Sequence, residues 1–66
     1  MDFASLDVGD IFVSWYDNTT YMKIPLCEQG NKIYNAIYMF GKNRGQFVYF
    51  TVRSGVSLCD EVDKDI

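Results

Sequence analysis

Turn residues divide this chain into five short apolar segments, and that division limits the fold more than any single motif does. Turn signals stand at Asp17-Asn18, Gln29-Gly30-Asn31, Gly41-Lys42-Asn43-Arg44-Gly45 and Ser54-Gly55. They recur about every 12 residues, which suits short strands joined by hairpins. The segments between them, residues 11–16, 21–27, 33–40, 46–52 and 56–62, are rich in the β-branched and aromatic residues that fit pleated surfaces. No segment keeps a helical period over three turns. The tail is ambiguous: Leu58, Val62 and Ile66 are four apart and Ser57 precedes Asp60 by three, as in a short capped helix. Strand is expected for its first half.

Pro25 removes a ladder donor, so the second strand lies at an edge or bends there. Five short, curved antiparallel strands in 66 residues predict one all-β domain over residues 1–66, a small SH3-like barrel. An OB-like barrel is the alternative, but that form usually carries a helix between its third and fourth strands. A chain of this length buries only about 60% of the surface it exposes when unfolded, so help from a partner subunit, metal or disulfide is expected.

Composition narrows the chemistry. The chain has no histidine, and with it go the usual general base and the commonest zinc ligand. Cys27 and Cys59 have no histidine to activate them, and Asp60, Asp63 and Asp65 lack the glycine and terminal glutamate of a calcium loop. No enzyme activity, metal or cofactor is expected. Residues 1–20 contain four aspartates and no lysine or arginine, which is not the positive start of a secretory signal. No apolar run approaches the ~20 residues of a membrane span. The reading is cytoplasmic, with no membrane partner and with Cys27 and Cys59 as partly buried thiols.

Alternation gives the first functional clue. Ile11, Val13 and Trp15 oppose Phe12 and Tyr16; Ile33, Ile37 and Met39 oppose Tyr34, Tyr38 and Phe40; Phe47 and Tyr49 oppose Val48, Phe50 and Val52. Both faces of each segment are apolar. Five Tyr, five Phe and one Trp exceed what one tiny barrel can enclose, so a homo-oligomer or a protein-binding face is expected.

Charge is uneven. Residues 1–17 hold Asp2, Asp7, Asp10 and Asp17, and residues 60–66 hold four acids against Lys64. The middle is basic, with Lys23, Lys32, Lys42, Arg44 and Arg53 against Glu28. Gly41-Lys42-Asn43-Arg44-Gly45 has the composition of an anion-binding nest, although it also reads as an ordinary hairpin turn and lacks the spacing of a phosphate-binding P-loop. Arg44-Gly45-Gln46-Phe47-Val48-Tyr49-Phe50 is one residue short of the RNA-recognition signature, which shifts its alternation. A formal net charge of −3 also argues against nucleic acid as a partner.

Val8-Gly9-Asp10-Ile11-Phe12, Tyr21-Met22-Lys23-Ile24 and Tyr34-Asn35-Ala36-Ile37, followed by a glycine turn and Phe47, resemble a class of very small phage-encoded SH3-like barrel proteins. The likeness spans roughly residues 6–52. Members of that class are mostly of unassigned function, and a phage origin implies a stoichiometric, non-catalytic anti-defence protein in the host cytoplasm: an oligomeric sponge that sequesters an anionic nucleotide-type signal or, as the alternative, an inhibitor covering a host or defence protein surface. The acidic termini could act in the second case by nucleic-acid mimicry, and a minor virion or assembly protein is a third reading. For nucleotide binding, the residue chemistry nominates Lys23, Lys42, Arg44 and Arg53 for phosphates and Trp15, Tyr34 and Tyr38 for stacking on a base.

Overall fold

Five strands form in a computed structural model that describes residues 1–59. They are β1 (Ile11–Ser14), β2 (Thr20–Gln29), β3 (Lys32–Tyr38), β4 (Phe47–Val48) and β5 (Val56–Leu58), preceded by a 3-10 turn at Phe3–Ser5. All neighbours pair antiparallel, in the order β4-β3-β2-β1-β5. The all-β, five-stranded expectation therefore holds. The residues expected to end the last strand or to form a short helix, from Asp60 on, lie outside the described residues.

The sheet is open rather than closed into a barrel, because its two end strands, β4 and β5, do not pair among the described residues. Two local causes account for this. β4 is two residues long where residues 46–52 were expected as strand, because the chain leaves β3 after Val48. The Asn35 side chain then replaces the ladder: its Nδ2 donates to Phe50 O and its Oδ1 accepts from Phe50 N, both at 2.8 Å. At the other end, the N-terminal segment covers the outer edge of β5. Met1 and Val56 exchange backbone bonds, Phe3 N donates to Ser54 O at 2.8 Å, and Ala4 N donates to Val52 O at 3.1 Å.

β1 stops at Ser14 because Asn18 N donates back to Ser14 O at 2.8 Å. Asn18 adopts φ 57, a left-handed turn position that asparagine tolerates. Trp15 and Tyr16 therefore sit in the turn, not in the strand assigned to them from sequence. β2 is interior, and the bend expected at Pro25 appears as a register shift between Lys23 and Cys27. β1 pairs with β2 only at Thr20 to Met22, and β4 meets β3 only at Ala36 and Ile37. The far part of the β2–β3 hairpin, closed by Gly30 at φ 64, thus projects as a two-stranded arm in a molecule measuring 41 × 26 × 20 Å.

The core is an aromatic cluster on one face of the curved sheet. Phe3, Leu6, Phe12, Tyr21, Ala36 and Val56 are buried, with Tyr38, Val48, Phe50 and Leu58 packed against them. Phe50 stacks on Phe3 at 5.4 Å and meets Phe12 and Tyr21 edge-on at 5.3 and 4.8 Å. Such pairs add about 0.5–1.5 kcal/mol each beyond area burial. The opposite face is also apolar, as alternation predicts: Ile11, Met22, Ile37 and Phe47 are successive cross-strand neighbours over four strands. Among the described residues no helix is long and apolar enough to cross a membrane. Cys27 and Cys59 are half-buried and not joined by a disulfide.

Candidate functional site

A cleft of about 440 Å³ opens where the β1–β2 turn, the end of β3 and the segment after β4 converge. Rings make much of its wall: Tyr21 from β2, Tyr38 from β3, Tyr49 and Phe50 after β4, and Tyr16 from the turn. Hydroxyls of Ser14, Thr51 and Ser54 interrupt them, and among the described residues Asp17 carries the sole formal charge of the lining. Each part has a local cause. Asn35 holds Phe50 by both backbone groups, and Ser54 N donates to Thr51 O at 3.1 Å to shape the opposite rim.

Asp17 and Tyr21 form the polar centre. Tyr21 Oη donates to Asp17 Oδ2 at 2.6 Å, and Asp17 Oδ1 accepts from Thr19 N at 3.2 Å. The Tyr21 ring lies between Phe12 at 5.6 Å and Tyr38 at 4.7 Å. Burial raises the Tyr21 pKa well above the ordinary value, and its hydrogen bonds to Asp17 and then Tyr38 raise it further. The phenol is therefore held neutral, its proton directed at a carboxylate.

Trp15 stands at the edge of this site. It is 63% exposed, yet its Nε1 donates to Ser57 Oγ at 2.7 Å and its ring lies against Gly55. A Cβ at Gly55 would meet indole carbons Cζ3 and Cδ2 at 2.9 and 3.0 Å. Glycine there makes room for a ring, and its neighbour Tyr16 is 95% exposed.

The sequence-nominated residues do not all converge. Tyr38 lines the cleft and Trp15 flanks it, while Tyr34 packs beside Phe47 at 5.7 Å. Lys23 is engaged in the fold: its Nζ donates to Leu6 O at 2.7 Å and Phe3 O at 3.2 Å and lies 4.7 Å over the Phe3 ring. Lys42 and Arg44 are exposed on the turn that follows β3. That turn uses its own amides: Arg44 N donates to Gly41 O, Gly45 N to Tyr38 O and Gln46 N to Asn43 O. Arg53 is exposed between the lining residues Thr51 and Ser54. None of the four cations lines the cleft.

Sequence reasoning passed over Asp17, Tyr21 and Phe50 as site residues. The available signal was Asp17-Asn18, a turn pair set between Trp15-Tyr16 and Tyr21, which places a carboxylate among rings. Among the described residues no group of three or more Cys, Asp or Glu side chains is placed to hold a metal ion. In comparisons with known proteins, no family model, no curated protein and no solved structure matches this chain.

Proposed function

We propose that this chain is a non-catalytic binding protein that engages a partner protein stoichiometrically through the cleft and its Trp15–Tyr16 rim. The observation that carries this reading is the fixed exposed ring. Trp15 is held by Ser57 and Gly55 although most of it faces water. An aromatic ordered before contact loses less entropy on binding, and Trp and Tyr are the side chains that most often dominate protein interfaces. Lack of histidine is the reason for reading the site as a binder rather than a catalyst.

The sequence resemblance supplies the setting of the proposal: a phage protein acting on a host or defence protein in the host cytoplasm. The strand order and the curl that brings Phe50 onto Phe3 and Phe12 support reading the fold as an unclosed relative of the SH3-like barrel. A second reading keeps the nucleotide-type anion, and Arg53 favours it. A base stacked on Tyr38 or Tyr49 of the lining would leave its phosphates to Arg53, an exposed residue that lies between Thr51 and Ser54 in sequence.

Amide shift mapping by NMR separates these readings, using cyclic nucleotides, ADP-ribose and short peptides of either charge as probes. Peptide-induced shifts at Ser14, Tyr21, Phe50 and Gly55 support the first reading. Nucleotide-induced shifts at Arg53 and Tyr38 replace it with the second, and no shift at any cleft residue with any probe overturns both.

A further inference from the structure

Resting on the reading of this cleft as the recognition surface, we infer that the group it receives is the guanidinium of an arginine side chain on a basic peptide segment. Among the described residues the lining contains one formal charge, the Asp17 carboxylate, set with four tyrosines and a phenylalanine. Tyr21 is buried against its neighbours, but the ring faces of Tyr16, Tyr38, Tyr49 and Phe50 are electrostatically negative, and with Asp17 they repel an anion and attract a cation.

Asp17 is positioned for this and has capacity left. Tyr21 Oη at 2.6 Å and Thr19 N at 3.2 Å each occupy one acceptor position on different oxygens, while a carboxylate offers about four. Those two bonds also fix the carboxylate plane. The Tyr21 phenol is a donor to Asp17 and adds no competing negative charge.

The choice among cations follows from shape. A guanidinium is planar, stacks on ring faces and presents a fork of N–H donors to a carboxylate, whereas an ammonium is compact and more strongly hydrated. The hydroxyls of Thr51 and Ser54, 3.1 Å apart at the rim, can accept its remaining N–H groups. A volume of about 440 Å³ falls in the range of ligand pockets.

The test is an NMR titration of the full chain with acetyl-Gly-Arg-Gly-amide and with the same peptide carrying citrulline, which keeps the shape and removes the charge. Exposed cation–π and ion-pair contributions together predict binding about tenfold weaker for citrulline. The lysine peptide should fall between the two. Asp17→Asn should remove most of the arginine preference, and because the citrulline arm leaves the protein unaltered, a folding defect in that variant cannot mimic the result. Equal affinity for arginine and citrulline overturns the inference. Binding of AMP in the cleft in preference to arginine also overturns it while leaving the cleft as the recognition surface. Silence of all cleft residues towards every probe overturns the inference and the surface together.

Discussion

The turn at residues 41–45 and the aromatic cleft meet at Tyr38, yet they treat their polar groups in opposite ways. In the turn, the amides of Arg44, Gly45 and Gln46 donate to carbonyls of the same neighbourhood, so Lys42 and Arg44 project from a backbone whose donors are already engaged. In the cleft, Asp17 and the rim hydroxyls face a common volume, and the bonds that fix them leave acceptor positions open. A recognition site needs both rigid support and unused bonding capacity. The turn has unused side-chain donors on Lys42 and Arg44 with no hydrogen bond to fix them among the described residues, and the cleft has both requirements with a single charge.

Phe12 underlies the rings of the cleft and not the turn. Its ring supports Tyr21 and Phe50 together, so Phe12→Ala should cost about 3–5 kcal/mol. In a domain of this size that abolishes cooperative thermal unfolding and with it the cleft. Asn35→Ala comes next. It leaves both Phe50 backbone groups without their partners, a loss of about 1–3 kcal/mol by denaturant titration, and slackens the cleft wall without touching the turn.

Tyr21 makes the stability of the cleft depend on pH. Its folded pKa lies above the ordinary value of about 10, so below pH ~10 its contribution is fully present. Above that pH the unfolded chain ionises first, binds fewer protons than the folded chain, and stability falls as pH rises. Denaturant midpoints between pH 9 and 11 should decline in the parent protein and decline less in Tyr21→Phe. Gly55→Ala should displace the Trp15 ring at a cost of about 1 kcal/mol, read as a red shift in the emission of the only tryptophan. Lys42→Ala and Arg44→Ala mark the smallest effect, within about 0.5 kcal/mol and with arginine-peptide affinity unchanged.

Much of the sheet could be read from local sequence. Turn pairs such as Asp17-Asn18 and Gln29-Gly30-Asn31 set chain reversal by backbone preference, a property that needs no tertiary knowledge. The two-faced apolar alternation likewise announced the exposed rings, since Trp15, Tyr16, Phe40 and Tyr49 all remain exposed. What could not be read locally depends on distant contacts. Asn35 looked like an ordinary strand residue, yet its amide stands in for a ladder and ends β4. Phe3 and Leu6 lie outside every predicted strand but enter the core because Lys23 binds the carbonyls of their turn. Lys23 and Lys42 looked alike as cations, and only tertiary packing engages one and leaves the other in water. Asp17 became a site residue because Tyr21, four positions on, is buried beneath it.

The central claim is most directly tested by the ring-current shift of the arginine δ-methylene protons when the peptide binds. A guanidinium lodged beside Asp17 among Tyr38, Tyr49 and Phe50 places those protons over ring faces, which predicts upfield displacement and intermolecular NOEs to these three rings. Unshifted methylene protons, with contacts confined to residues 41–45 or to none, would contradict the account.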